Sequence, residues 1–290
     1  MFNYHKINIR EANLQKIITA IFILILGVSV SFSQEEPTEP RQVTVIHAGT
    51  LLAVAGDETL FEQSIIIEDG KIINVTAGYV SEVDEAEVTI IDMSDKFVMA
   101  GMMDMHVHLA SSGKNSADYA LAGVKNAKKT LMAGFTTVRD LGAADDTIFK
   151  LKKAINDDEI DGPRIYAAGN IIGIGGRENG KECNGVESCR KTTRDMIKAG
   201  ADWIKIYSSC SGSQFCSNED GSPMFFDDEI GAVTAVAAKY NIKVAAHSHP
   251  RDSALQVLKY GVASIEHDKE RYEHKYEYCD LLIAGSGPSG

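Results

Sequence analysis

Two short runs, His106-Val107-His108 and His247-Ser248-His249, each close an apolar stretch with the pattern of a β-strand. A lone lysine lies between them in Trp203-Ile204-Lys205-Ile206-Tyr207. Residues two apart on a strand point to the same face, so His106 and His108 can converge on one ion from a single strand. Neutral imidazole is a common ligand of zinc and its neighbours. With eight histidines in 290 residues, one H-x-H pair arises by chance in roughly one such chain in five. Two pairs, both at strand ends, point to a metal site assembled from the ends of several strands.

The elements that must carry these residues come in two styles. From Val43 to Ile91, short runs rich in Val and Ile (Val43 to His47, Ser64 to Glu68, Ile72 to Val75, Val88 to Ile91) are punctuated by Gly56, by Asp69-Gly70 and by Gly78. This is the pattern of a small, mostly antiparallel β-domain, expected as a β-sandwich over 43–97, and Asp69-Gly70 between two such runs is a hairpin signal. From Phe97 the rhythm becomes strand, then helix. Strand-like runs end at His108, Asp140, Gly169, Tyr207, His249 and His267. Helices are predicted at roughly Ser116 to Met132, Asp145 to Asn156, Val186 to Ala199, Asp227 to Tyr240 and Arg251 to Tyr260. Gly134, Gly200 and Gly261 follow three of them as C-caps do. Strands alternating with helices imply parallel βαβ units in an α/β fold. Chemistry-bearing residues at the carboxyl ends of several strands favour a TIM-like (β/α)8 barrel over an open sheet, with six of its eight strands countable over 98–267.

Composition narrows the class further. A net charge of −12 argues against nucleic acid or an anionic membrane as the main partner, and a homo-oligomer is compatible with it. At the N-terminus, His5, Lys6, Arg10 and Lys16 precede an apolar run from Ile17 to Val30 and then Ser31-Phe32-Ser33. A basic region, a short apolar core and small residues at −3 and −1 describe a secretory signal peptide over 1–33, cleaved after Ser33 and followed by a linker over 34–42. The competing reading is an uncleaved anchor, for which the run is short. The expected location is therefore secreted or periplasmic, with no membrane association after cleavage. In an oxidising compartment either Cys183/Cys189 or Cys210/Cys216, each six residues apart, could form a local disulfide, leaving Cys279 over. No C-x-x-C spacing suggests a zinc knuckle.

Several motifs together resemble a known group. Gly101-Met102-Met103-Asp104-Met105-His106-Val107-His108-Leu109 looks like the first-strand signature of the amidohydrolase superfamily. Ala133-Gly134-Phe135-Thr136-Thr137-Val138-Arg139-Asp140, Ala199-Gly200-Ala201-Asp202-Trp203-Ile204-Lys205 and Val244-Ala245-Ala246-His247-Ser248-His249 resemble its imidazolonepropionase-like branch, which includes prolidase-like (Xaa-Pro dipeptidase) and N-acyl-amino-acid hydrolases. The resemblance runs from about Val43 to His267. It implies that His106 and His108 bind the more buried of two divalent ions, that Lys205 is N-carboxylated and bridges both, and that His247 and His267 hold the second. Histidine and carboxylate ligands favour zinc. His249 shares a face with His247 one rise further out, and substrate polarisation suits it better than ligation. The implied activity is hydrolysis of amide or peptide-like C–N bonds in small substrates by a hydroxide that two metals activate. Ile204 and Ile206 suit a helix layer, which turns Lys205 into the barrel. A buried ammonium is costly and tends to lose its proton, and a neutral amine can add carbon dioxide. The bland alternative is a structural lysine paired with an acid or snorkelling to solvent.

Other features carry less. Arg139-Asp140 reads most simply as an ion pair near the barrel mouth. The Gly-rich loop from Gly173 to Gly180 is placed to line a substrate pocket and lacks a P-loop lysine. The family's proton-handling aspartate, at the end of strand eight, has no counterpart in this chain. After His267 the resemblance stops, and Leu281-Leu282-Ile283-Ala284 followed by Gly285-Ser286-Gly287-Pro288-Ser289-Gly290 looks like the opening of a Rossmann domain without its helix. The tail 268–290 is therefore expected to be unrelated to the barrel, and the chain to be a fragment or a join of two reading frames that folds poorly. The alternatives to a hydrolase are a non-catalytic fragment and the start of a fused flavin-dependent oxidoreductase.

Overall fold

The computed structural model describes residues 40–175, 180–209, 223–249 and 251–267, together with the backbone of 282–284. The segment 1–33 expected to be a signal peptide, Cys210, Cys216, Cys279 and the glycines from Gly285 onward lie outside the described residues. The chain divides into two compact units, 1–99 and 100–290.

In the first unit β1 (Arg41–Leu52), β2 (Leu60–Glu68), β3 (Lys71–Ala77) and β4 (Ala86–Met99) form one sheet in the order β3-β2-β1-β4. The hairpin signal is borne out: β2 and β3 pair antiparallel through Asp69 and Gly70, whose φ of 49° and 70° are those of a turn that matches strand twist. β1 and β4 pair in parallel. The expected sandwich is corrected to this single four-stranded sheet among the described residues. β1 and β4, of 12 and 14 residues, pair along their length, and all four strands lie in that sheet. The apolar residues then collect in two small clusters, around Val43, Val45 and Ile66 and around Ala48, Leu51 and Ile65.

The second unit alternates as expected. β5 (Met102–Val107), β6 (Phe135–Asp140) and β7 (Arg164–Ala167) form a parallel three-stranded sheet. A six-stranded sheet follows the order β13-β12-β11-β10-β8-β9, with β8 (Ile172–Gly173), β9 (Lys181–Glu182), β10 (Trp203–Tyr207), β11 (Lys243–His247), β12 (Ser264–Glu266) and β13 (Leu282–Ala284). All its pairings are parallel. Leu282–Ala284, from the tail, thus adds a strand to the sheet beside β12. Helices α1 (Ser116–Met132), α2 (Thr147–Asn156), α3 (Val186–Ala199), α4 (Asp227–Lys239) and α5 (Arg251–Lys259) fall within two residues of the predicted spans. No ladder among the described strands closes the two sheets into a ring. At one seam between them, Asp202 donates its backbone N–H to the Ala167 carbonyl at 2.8 Å and accepts the Ala167 N–H on Oδ2 at 2.8 Å. One residue does there what a β7–β10 ladder would do, while β10 pairs with β8 instead.

The period-two logic of the strands sorts side chains between layers. Ile204 and Ile206 of β10 are buried with Ile230 and Val233 of α4, Val244 and Ala246 of β11, and Val257 of α5. That leaves Trp203, Lys205 and Tyr207 on the opposite face. Lys205 is 2% exposed and stands in register with Ala245, and Tyr207 with His247.

Candidate metal centre

Relative to β6, strand β5 carries one extra residue between Asp104 and Val107. Such a bulge re-aims the side chain it carries, and here it is locked by Asp104 Oδ1, which accepts the His106 backbone N–H at 3.0 Å. His106 Nδ1 lies 2.9 Å from Glu266 Oε2, and His108 Nδ1 lies 2.7 Å from the Gly142 carbonyl oxygen. An acceptor opposite each Nδ1 keeps the proton on that nitrogen and makes Nε2 the lone-pair atom, the usual support for a metal-binding imidazole. The two Nε2 atoms then face each other at 3.3 Å. Two imidazole nitrogens bound tetrahedrally to one zinc ion at about 2.0–2.1 Å stand about 3.3–3.4 Å apart. The pair therefore already has the bite of a single ion, and a cation between two facing lone pairs removes their repulsion.

The remaining histidines adjoin this pair. His267 has φ of 66°, a left-handed conformation uncommon for a non-glycine residue. Its ring centroid lies 4.4 Å from that of His106 and 5.0 Å from that of His247. Burial chiefly, with the charges of His106 and Lys205 adding, lowers the His267 pKa to about 4, so its ring is neutral at neutral pH. His247 closes β11, stacks on Tyr207 at 4.0 Å and meets His249 edge-on at 4.7 Å. The His249 backbone N–H donates to Ser209 Oγ at 2.8 Å. The structure thus brings His106, His108, His247, His249 and His267 into one chain of ring contacts, with Lys205 close enough to shift both Glu266 and His267 by its charge. Among the described residues, no three His, Cys, Asp or Glu side chains are arranged to hold one ion. His106 and His108 supply two converging donor atoms, and Lys205 is the further group the sequence reading expected beside them.

One sequence reading is corrected. Arg139 does not pair with Asp140, because neighbours on a strand point to opposite faces. Arg139 is 1% exposed and donates from Nη2 to Glu266 Oε1 at 2.8 Å, from Nη1 to Ser264 Oγ at 3.1 Å and from Nε to the Met105 carbonyl at 2.6 Å. Its guanidinium lies 4.5 Å over the Trp203 ring. For Glu266, burial opposes ionisation, but hydrogen bonds from His106 and Ser264 with the charges of Arg139 and Lys205 outweigh it and hold the pKa below the usual carboxylate range. Asp140 accepts backbone N–H bonds from Leu109 at 2.7 Å and Gly142 at 3.1 Å, and its burial pushes its pKa up to about 7.

Glu266, Gly142 and Ser264 carry the site without having been singled out from sequence. The available signal was Glu266 itself, an acid that directly follows the strand-like run Val262 to Ile265, one residue before a candidate ligand. The described start of the Gly-rich loop borders a cavity. Ile174 and Gly175, with Asn184, Gly185, Met224 and Phe226, line a cavity of about 520 Å³ whose lining includes none of the five histidines. Gly176 to Asn179 lie outside the described residues. Of the two cysteine pairs, Cys183 and Cys189 form a disulfide, both fully buried.

Known proteins share this arrangement of elements. The chain is 27% identical over 292 residues to the ochratoxinase of Aspergillus niger, covering 85% of this chain and 59% of that protein. A crystal structure of a Xaa-Pro dipeptidase with bound methionine superposes with a TM-score of 0.70 at 31% identity, covering 78% of this chain and 61% of that one. A prolidase complexed with N-methylphosphonate-L-proline superposes with a TM-score of 0.68 at 27% identity, over 78% and 60% of the two chains. The chain spans about three fifths of the length of these relatives. The family pattern described as the Amidohydrolase family matches residues 97–283, nearly the whole of the second unit, and the chain therefore belongs to the amidohydrolase family.

Proposed function

We propose that this protein hydrolyses carbon–nitrogen bonds of small amide or dipeptide substrates at a centre of two divalent metal ions, zinc in the first instance. The observation that carries the reading is the His106–His108 pair, with both Nδ1 atoms held by acceptors and both Nε2 atoms converging at 3.3 Å. The names of the relatives support the substrate class, since an ochratoxinase, a Xaa-Pro dipeptidase and a prolidase are among the proteins the chain resembles. In this reading His106 and His108 hold one ion, and His247 and His267 hold the other. Lys205, 2% exposed on the strand face away from the helices, would bridge the two once N-carboxylated. Bound there, divalent ions lower the pKa of a water and polarise a carbonyl. His249, at the outer end of the ring chain, orients the scissile carbonyl of the substrate. Glu266 and Gly142 keep the two β5 imidazoles in the tautomer that presents Nε2. The same reading has the protein act outside the cytoplasm, secreted or periplasmic. The apolar run Ile17 to Val30 and the buried Cys183–Cys189 disulfide support that location.

The test is metal stoichiometry and turnover together. The full chain, loaded with zinc in bicarbonate buffer, is expected to retain two ions per chain and to release the free amino acid from Xaa-Pro dipeptides or N-acyl amino acids. Chelation should abolish release, and Lys205→Ala should lose the second ion. A chain that retains no zinc above the level of a His106→Ala/His108→Ala variant would overturn the reading.

A further inference from the structure

Arg139 and Glu266 are among the largest fully buried side chains in the molecule, and an ion pair out of water needs more than mutual attraction to persist. What distinguishes this pair is where its bonds go. One carboxylate oxygen, Oε1, takes Arg139 Nη2 at 2.8 Å and Ser264 Oγ at 2.6 Å. The other, Oε2, takes His106 Nδ1 at 2.9 Å. The guanidinium is fixed in turn by the Met105 carbonyl at 2.6 Å, on the residue before His106, and by the Trp203 ring. Four strands meet in this network: β5 through Met105 and His106, β6 through Arg139, β10 through Trp203, and β12 through Ser264 and Glu266. Both carboxylate oxygens are thus engaged, and the imidazole they face sits on a bulge whose side-chain direction no regular ladder defines.

We propose that Arg139 and Glu266 are a positioning pair: Glu266, immobilised by Arg139 and Ser264, sets the tautomer and ring orientation of His106, and with them the affinity of the β5 histidines for their ion. This rests on the metal-centre reading for its consequence. Its first part, the control of His106, holds for the metal-free protein as well. A merely structural pair would stabilise the fold and leave His106 unaffected.

The two roles separate in a pair of variants. Glu266→Gln leaves a buried guanidinium without its anion and is expected to lower stability. Arg139→Met/Glu266→Met removes both ions together, a change that other buried pairs tolerate with little loss of stability. On metal-free protein, 15N NMR of the histidine side chains is expected to report the Nδ1–H tautomer for His106 in the wild type and a tautomer mixture in both variants. Competition with a chromophoric chelator should show zinc affinity falling about 10–100-fold in both, the usual effect of losing a partner behind a metal-binding imidazole. The double variant should keep that loss while regaining thermal stability. A His106 tautomer unchanged in the double variant would overturn the proposal, as would restored zinc affinity there. If the wild type binds no zinc, the metal reading falls, and the tautomer result still decides whether Glu266 governs His106.

Discussion

Gly142 is the residue whose replacement should most directly disturb the histidine pair. It follows β6 by two residues, its carbonyl takes the His108 Nδ1–H at 2.7 Å and its own N–H donates to Asp140 Oδ1 at 3.1 Å. An added Cβ would stand 2.9 Å from His108 Cε1, 3.0 Å from His108 Nδ1 and 2.9 Å from Ile171 Cδ1. Ordinary contact begins at 3.4 Å, so the neighbours must retreat by 3.4 minus 2.9, about 0.5 Å. Gly142 is not among the glycines with positive φ, so the penalty of alanine is steric and not conformational. The Ile171 methyl is the end of a flexible chain and can turn aside. The imidazole cannot do so freely: moving it 0.5 Å from the carbonyl stretches its bond to about 3.2 Å, the outer limit of a normal hydrogen bond, and shifts its Nε2 relative to that of His106. Gly142→Ala is expected to cost about 1–3 kcal/mol of stability, as overpacking does, and to weaken zinc binding about 10–100-fold. Chelator competition and thermal melting on the same samples read both. Gly231→Ala is the control: it lies in α4, and its added Cβ would meet only Tyr260 ring carbons at 3.5 and 3.6 Å. A Gly142→Ala protein that melts lower yet binds zinc as tightly as the wild type would refute the idea that this glycine positions His108.

Three further outcomes are expected. Burial raises the Asp140 pKa from 3.8 to about 7, so the folded state holds a proton there that the unfolded chain has already lost. Stability therefore falls as pH rises from about 4 to 7, by at most about 1.4 kcal/mol per pH unit, and denaturant titrations of Asp140→Asn should lack that slope; an unchanged slope would show that another group is responsible. Replacing both Cys183 and Cys189 by alanine should cost about 2 kcal/mol by freeing a six-residue separation in the unfolded chain, and dithiothreitol should lower the wild-type melting temperature towards that of the variant; indifference to reductant would count against the bond in solution. Asp202→Ala removes the acceptor of the Ala167 N–H and the partner of Lys152, which lies 2.6 Å away, and should cost about 1–3 kcal/mol by urea denaturation; a loss no larger than that of Lys152→Ala would assign the effect to the ion pair and not to the seam.

Much of this fold was legible because its punctuation is local. Asp69-Gly70 can form little other than a tight hairpin turn, and Gly134, Gly200 and Gly261 do stop their helices with positive φ. The alternation of Ile204 and Ile206 with Lys205 correctly placed the lysine away from the helix layer. What was not legible depends on partners distant in the chain. A sandwich and a single sheet have the same alternation of short apolar runs, and only the pairing of β1 with β4 along their whole length separates them. The seam at Asp202 is likewise invisible in sequence, since an acid before a strand reads as a solvated residue until its oxygen is found 2.8 Å from the Ala167 nitrogen, 35 residues away.

The Arg139 error differs in kind, because the sequence contained the means to avoid it. Adjacent residues on a strand project to opposite sides of the sheet, so an arginine that opens to the interior cannot pair with the aspartate beside it. Once β6 is accepted as a strand, Arg139 needs an acid from another strand, and Asp140 needs donors of its own. The structure meets both needs separately, Arg139 with Glu266 at 2.8 Å and Asp140 with two backbone N–H groups. Both solutions lead back to the same place. Glu266 reaches His106, while Asp140 fixes Gly142, whose carbonyl holds His108. Two neighbouring residues of β6, facing opposite ways, thus each support one histidine of the β5 pair. The Arg-Asp dipeptide is therefore better read as two separate supports for the β5 histidines than as an ion pair of its own.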